Sequence, residues 1–365
     1  MDFKLLKEPN IIFECATLLY NKFNSETCRD LKNAIQKKFS IDKEVLSSCF
    51  DAIIDAAEHV TNSTVEDEDE KKLEYLFARH SGMKECFASY ILHDICRSPS
   101  PDFYADAKKI RELSKPLFFI NFSSLLIHEF APEDFSDEIT NYNELLSFID
   151  NMTVPPDEKW ELCRFFKNFE EYRDYLADIL EKAAKLYMEK YDSIKHYIGW
   201  FASSVNEPFS SDPVKYLKQN YNLELSEFID TVYLQPSIMM CNTTKYFMNF
   251  TGEEENDFFY VGVLFEPLKE ITDDSTLEDK LCRALRTIGD NRKFEILKLL
   301  AESPKYGQEL AKLLDISTAT VSHHMSLLME CGFVEIERNS NRIYYCLNNK
   351  KIRDFIDDLS KELIR

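Results

Sequence analysis

The run STATVSHHMS, residues 317–326, places five hydroxyls and two imidazoles in ten positions and holds no carboxylate, ammonium or guanidinium. Short neutral donors and acceptors of this kind suit hydrogen-bond recognition, since each makes a directional contact without needing a charged partner. Apolar spacing decides which way they point. Val321, Met325 and Leu328 share one side of a helix, leaving Ala319, Ser322, His323 and Ser326 on the other. A solvated helix ordinarily turns Glu and Lys outward, so this face implies a partner that reads it. A helix in the major groove of duplex DNA has that requirement: base edges call for short donors and acceptors, and a carboxylate would meet phosphate.

On that geometry Thr318, Ala319, Ser322 and His323 are the candidate base-edge contacts. Ser317 and Thr320 are candidate phosphate donors at the helix start, where free N–H groups and the helix dipole favour an anion. Arg338 and Arg342 flank a predicted hairpin tip and are candidates for a phosphate or minor-groove grip, the plainer alternative being a solvated rim. His324 falls nearer the apolar side and reads as a packed histidine. Neighbouring histidines on different faces do not make a metal pair.

Other chemistry-bearing residues have plainer readings. Cys331 in LLMECGF and Cys346 in IYYCL sit among apolar neighbours and read as packed thiols. His93 and Cys96 in ILHDIC have the i, i+3 spacing a metal accepts, but no further ligand lies in the stretch. FFYVGVLF reads as a core strand before it reads as the lining of an effector pocket. With seven glycines in the chain and no phosphate-binding glycine loop, nucleophile elbow or HExxH, the expectation is that the protein is not an enzyme. No metal or cofactor is expected.

The groove helix needs a frame. Leu281, Leu285 and Ile288 mark a helix that Gly289 stops, begun near 276 by the capping box of Ser275 and Glu278. Asp290 caps a second helix, NRKFEILKLLAE, with Phe294, Ile296, Leu297 and Leu300 on its buried face; QELAKLLD is a third. FVEIER and RIYYCL alternate as strands around an NSN turn, and IRDFIDDLSKELI closes the chain with Ile352, Phe355, Ile356, Leu359 and Leu363 on one stripe. Helix, helix, helix, turn, helix, hairpin, helix is the order of a winged helix-turn-helix.

Upstream, residues 1 to about 225 read as successive amphipathic helices, including one long helix in DEKWELCRFFKNFEEYRDYLADILEKAAKLYMEKY with Trp160, Cys163, Phe166 and Phe169 at near-helical spacing. DTVYLQPSIMMCN, KYFMNF and DFFYVGVLF are short, aromatic and β-branched and predict a small antiparallel sheet. The fold expected is mainly α: a helical body over 1–226, an antiparallel β element over 227–268 packed on it, and the winged domain over 269–365.

Charge sorts by domain. The chain of 365 residues carries a net charge of -21, yet residues 277–365 hold 15 Lys+Arg against 14 Asp+Glu, and the rest hold 29 against 51. The terminal quarter is free to approach a polyanion. Ten scattered cysteines without CxxC or CxC, a start (MDFKLLKEPNIIFE) lacking a basic head and apolar stretch, and no run of about 18 apolar residues predict a cytoplasmic protein with reduced thiols and no membrane partner.

ELAKLLDISTATVSHHMSLLMECGFVEIERNSNRIYYCLN resembles the DNA-binding core of ArsR-type winged-helix repressors, which show ELA, a Ser-containing turn, T-V-S-x-H-[LM]-x-x-L, a Gly, and a wing ending in a Tyr-rich strand. Glu309, Leu310, Ala311, Ser317, Thr320, Val321, Ser322, His324, Met325, Leu328, Gly332, Arg342 and Tyr344 carry the match, over roughly 285–350. Tyr306 and Gly307 stand where a Ser or Thr cap is usual, and the long N-terminal body is unusual. The Cys-x-Cys metal pair is missing from ELAKLL, and the final helix has no His, so metal sensing does not carry over. The resemblance implies double-stranded DNA as partner and a homodimer formed through the terminal helices, with Leu281, Leu285, Phe355, Leu359 and Leu363 as candidate interface; packing on the chain's own body competes for that surface. The function expected is a dimeric, sequence-specific transcriptional repressor whose body senses a small-molecule effector or sets dimer geometry. Two alternatives stand beside it: a helical scaffold whose winged helix contacts protein, as in PCI-domain subunits, and a metal- or thiol-responsive repressor using body cysteines.

Overall fold

The computed structural model describes the chain except residues 39–40, 42, 67, 98–101, 132–138, 222, 224, 226–228, 248–255, 274–276, 340–341 and 365. It divides into two compact units: Met1–Ser210 with Phe228–Ile271, and Ser211–Glu227 with Thr272–Arg365.

The first unit opens with strand β1 (Asp2–Leu5) and helices α1 (Ile11–Phe23), α2 (Cys28–Lys38), α3 (Lys43–Glu66), α4 (Glu70–Phe77), α5 (Phe87–Cys96), α6 (Phe103–Glu112) and α7 (Lys115–Phe130). It continues through α8 (Tyr142–Asn151), α9 (Pro156–Lys167), α10 (Phe169–Ile194) and α11 (His196–Ser211). α10 is its axis, lying against α1, α3 and α6. Phe169, Tyr172, Leu176, Leu180, Ala183 and Tyr187 recur at three- and four-residue steps on its buried face. Around Phe118 stack the rings of Phe122, Phe166 and Phe169. The expected single helix across 157–191 is broken: at Asn168 the backbone N–H and the side-chain amide both turn back to the Arg164 carbonyl, closing α9 before α10 begins. Trp160 is therefore not core; it is 68% exposed.

Helix α12 (Pro213–Tyr221) belongs to the second unit, and the sheet strands β2 (Thr231–Ser237), β3 (Thr244–Phe247) and β4 (Asn256–Gly262), followed by α13 (Phe265–Asp273), complete the first. The expected antiparallel β element is instead a mixed sheet of order β1-β2-β4-β3. β1 and β4 both run parallel to β2, in registers Phe3↔Val232 and Leu234↔Phe259, and only β3 is antiparallel, with Tyr246↔Phe259. The reason is visible in burial: β2 and β4 are buried along almost their whole length, as befits central parallel strands covered on both faces. The strand at residues 2–5 has no sequence signal strong enough to stand alone; its partner makes it a strand.

The second unit continues with α14 (Leu277–Ile288), α15 (Asn291–Glu302), β5 (Lys305–Tyr306), α16 (Gly307–Leu314), α17 (Thr318–Glu330), β6 (Val334–Asn339), β7 (Arg342–Leu347) and α18 (Asn349–Leu363). This is the expected winged helix-turn-helix, with a three-stranded wing of order β5-β7-β6. Ile296, Leu300, Leu310, Val321, Met325, Leu328, Phe333 and Val334 form its core. Phe294, expected on the buried face of α15, is 52% exposed. Asp290 caps α15 by accepting from the Lys293 N–H at 3.0 Å. Ser275 and the Glu278 side chain, expected to start α14, lie outside the described residues, as do the turn residues Ser340 and Asn341. The body expected over 1–226 gives up its end: residues 211–227 pack with the winged unit, where Leu223 bridges Ile336 at the edge of β6.

Candidate nucleic-acid interface

Two helices and a short turn make the candidate reader. α16 ends at Leu314 with Asp315 in the left-handed region, φ 53, and the Ile316 N–H bonds back to the Ala311 carbonyl. Arg292 reaches the Leu314 carbonyl at 3.4 Å. The chain then redirects at once into α17. Ser317, extended at φ -69 and ψ 152, caps that helix: its Oγ accepts from the Thr320 N–H at 3.1 Å and lies 2.8 Å from Thr320 Oγ1. The two hydroxyl residues assigned to phosphate are thus linked to one another at the helix start.

Burial of Val321, Met325 and Leu328, each fully enclosed, locks the rotation of α17. That orientation exposes Thr320, His323 and Ser326 and leaves Thr318 and Ser322 half-buried at the edges of the same face. Ser326 donates to the Ser322 carbonyl at 3.0 Å, which occupies its proton within the helix. The first acidic residue of α17 is Glu330, at its last position. His324 is half-buried, with Nδ1 enclosed and lacking a hydrogen-bond partner among the described residues. Burial holds its pKa below the ordinary histidine value, against the opposing pull of Asp290, so the neutral ring is favoured. The Ala319 side chain lies outside the described residues. Arg338 and Arg342 sit on paired wing strands, Arg338 opposite Ile343 and Arg342 opposite Asn339, while their side chains also lie outside them.

The candidate interface residues separate. Leu281 is only 6% exposed and is a core residue of this chain, not a free surface residue. Leu285 is 44% exposed and Leu363 73%, while Phe355 and Leu359 are half-buried. α14 and α18 pack on each other, and α18 buries none of its side chains fully. Leu277 and Ile356 add further exposed apolar surface on the same two helices, and Ile364 just past the end of α18.

The other sequence candidates are structural. Cys331 Sγ donates to Thr287 Oγ1 and Cys346 Sγ to a Glu337 carboxyl oxygen, so each thiol has its own partner. His93 is buried with Nδ1 3.5 Å from its neighbour Asp94, and the described residues contain no group of three potential ligands able to hold a metal. Phe258, Phe259, Tyr260 and Val261 are core. Sequence reading missed a half-open cavity of about 530 Å³ in the first unit, lined in part by Phe13, Tyr20, Cys28, Met239, Cys241 and Lys245. Its walls come from α1, α2, α5 and the β2–β3 turn, segments too far apart in the chain for any local spacing to announce them.

A core-locked helix with an uncharged hydrogen-bonding face, preceded by a tight turn and followed by a wing, defines the winged helix-turn-helix of DNA-binding regulators. Comparison with known proteins gives the family. Residues 290–335 match the bacterial regulatory proteins of the arsR family. The chain is 30% identical over 81 residues to the arsenical resistance operon repressor of Staphylococcus aureus, covering 78% of that protein and 22% of this one. It is 25% identical over 81 residues to a probable mercury resistance operon repressor of Streptomyces lividans, of which it spans 65%, and 29% identical over 72 residues to the transcriptional repressor SdpR of Bacillus subtilis, of which it spans 80%. The chain belongs to the arsR family through its C-terminal region; its N-terminal region matches no family. The matched relatives are transcriptional regulators over this fifth of the chain. Among the described residues no helix is long and apolar enough to cross a membrane.

Proposed function

We propose that the protein is a transcriptional repressor that binds a two-fold symmetric DNA site as a homodimer, with α17 in the major groove and the wing on the flanking backbone. The observation that carries this reading is the face of α17: its apolar side is locked into the core, and what remains outward is hydroxyl and imidazole with no acid before Glu330. Thr318, Ser322 and His323, with Ala319 between them, read base edges; Ser317, Thr320, Arg338 and Arg342 hold phosphate. A single Ser or Thr contact discriminates less than the ~1–3 kcal/mol of a bidentate pair, so specificity needs two half-sites. The exposed apolar residues of α14 and α18, Leu285 and Leu363 among them, supply the pairing surface. The first unit, with its cavity, provides the sensing body.

Selection from random duplexes tests the reading. The wild-type chain is expected to enrich a palindrome, and Ser322→Glu with His323→Glu to lose enrichment while remaining folded by circular dichroism. Leu285→Glu with Leu363→Glu is expected to sediment as a monomer and to bind the selected site at least about tenfold more weakly, since each half-site then binds alone. A folded chain that selects no sequence at low or moderate salt overturns the DNA reading in favour of a protein-binding winged helix.

A further inference from the structure

The first unit brings together two cysteines that lie 213 positions apart. Cys28 is the first residue of α2, and Cys241 sits in the turn between β2 and β3. The Cys241 thiol donates to Cys28 Sγ with the sulfurs 2.9 Å apart, and Cys28 Sγ points to the Met239 carbonyl at 3.9 Å. Both are free thiols, both are buried, and both line the cavity of about 530 Å³.

We propose that Cys28 and Cys241 form an oxidisable dithiol site, converted by a hydroperoxide entering the cavity into a disulfide that joins α2 to the β2–β3 turn. The sulfurs need approach by only about 1 Å to reach disulfide bonding distance. Their frame is rigid on both sides. Glu14 accepts from the Ile238 N–H at 3.2 Å and the Met239 N–H at 2.8 Å, fixing the entrance of the turn. Cys241 itself is held at φ 54, with its carbonyl accepting from Leu264 at 2.9 Å, and Cys28 is held by the first turn of α2. Cys86 and Cys96 line the same cavity, but among the described residues no contact places either thiol against a second sulfur.

The chemistry assigns the two sulfurs different parts. The hydrogen bond to Cys28, with burial added, pushes the Cys241 thiol well above its ordinary range, which keeps its proton and makes it the donor of the pair. Cys28 Sγ accepts that hydrogen bond from the first turn of α2 at the cavity wall, which assigns it the part of nucleophile. The Cys28 sulfur attacks the outer oxygen of the hydroperoxide, breaking the O–O bond, and the Cys28 thiol proton passes to the departing alkoxide, which leaves as an alcohol, or as water when the oxidant is hydrogen peroxide. The resulting Cys28 sulfenic acid is attacked by Cys241 sulfur, and hydroxide departs with the Cys241 proton as water. Two thiols and one hydroperoxide thus give one disulfide, one alcohol and one water.

The test reads the bond directly and is independent of DNA binding. The full chain is treated with hydrogen peroxide, remaining thiols are alkylated, and peptides are mapped without reduction. A Cys28–Cys241 linked peptide is expected, reversed by dithiothreitol and formed at least about tenfold faster than oxidation of buried Cys15 or Cys49. In Cys241→Ser the sulfenic acid is expected to persist on Cys28 and be trapped by dimedone; in Cys28→Ser no dimedone adduct is expected on Cys241. Equal alkylation of both residues before and after peroxide overturns the proposal. So does oxidation confined to exposed Cys282, or a linked peptide that pairs Cys28 or Cys241 with another cysteine.

Discussion

Glu14 shows how one residue links chemistry to fold. It is fully buried, accepts from two backbone N–H groups of the β2–β3 turn, and receives the Tyr187 hydroxyl at 3.4 Å. Burial raises its pKa to about 7 against the pull of these hydrogen bonds, and burial likewise raises Glu129 to about 7 and Asp106 to about 6. A carboxyl whose folded pKa is raised is most stabilising while protonated, so this contribution is full below the ordinary carboxyl range and is lost as pH rises to about 7. Urea unfolding at pH 5 and pH 8 is expected to show the first unit losing stability with rising pH. Glu14→Gln should flatten that dependence by on the order of 3 kcal/mol while lowering stability at pH 5, because an amide oxygen replaces only one of the two acceptors. An unchanged pH slope in the variant would show that Glu14 does not titrate in this window.

At the scale of elements, the turn after β2 and the end of β4 are built for each other. A Cβ placed on Gly262 would stand 2.1 Å from the Cys241 carbonyl oxygen, closer than any backbone contact allows, so this glycine is required by close approach. Gly262→Ala is expected to force the turn outward and destabilise the first unit by about 1–3 kcal/mol, the usual scale for overpacking. It should also part the Cys28–Cys241 sulfurs and slow their oxidation; unfolding curves and the linked-peptide yield check both. In the winged unit the equivalent constraint is α17, whose three enclosed residues leave no freedom to rotate its outward face.

For the whole molecule, charge is the governing quantity. A net of +1 over residues 277–365, against the strong negative charge of the rest, confines attraction for DNA to the winged region. In the proposed dimer, phosphate contacts by Arg338 and Arg342 of each copy predict log affinity falling with log salt at a slope of about -3 to -4, measured by fluorescence anisotropy on the selected duplex. Arg338→Ala with Arg342→Ala is expected to reduce that slope by most of its value without changing the preferred sequence. A slope untouched by the double substitution would remove the wing from the phosphate contacts.

The winged helix was legible in sequence because its signals are local. Caps at Asp290 and Ser317, the period of Val321, Met325 and Leu328, and alternation in β6 and β7 act within a few residues of one another. The same locality explains the misreadings. Periodicity carried through Asn168 because the spacing survives a break that only the capping hydrogen bonds reveal. Phe294 looked buried because a helix wheel does not know its neighbours, and β2 and β4 looked antiparallel because strand direction is set by connection, not composition. Tertiary structure alone decided that residues 2–5 are a strand, that 211–227 join the winged unit, and that Cys28 meets Cys241 in the wall of a cavity. Each of these depends on contacts between residues more than a hundred positions apart, where the chain's own pattern carries no record of which surface will arrive.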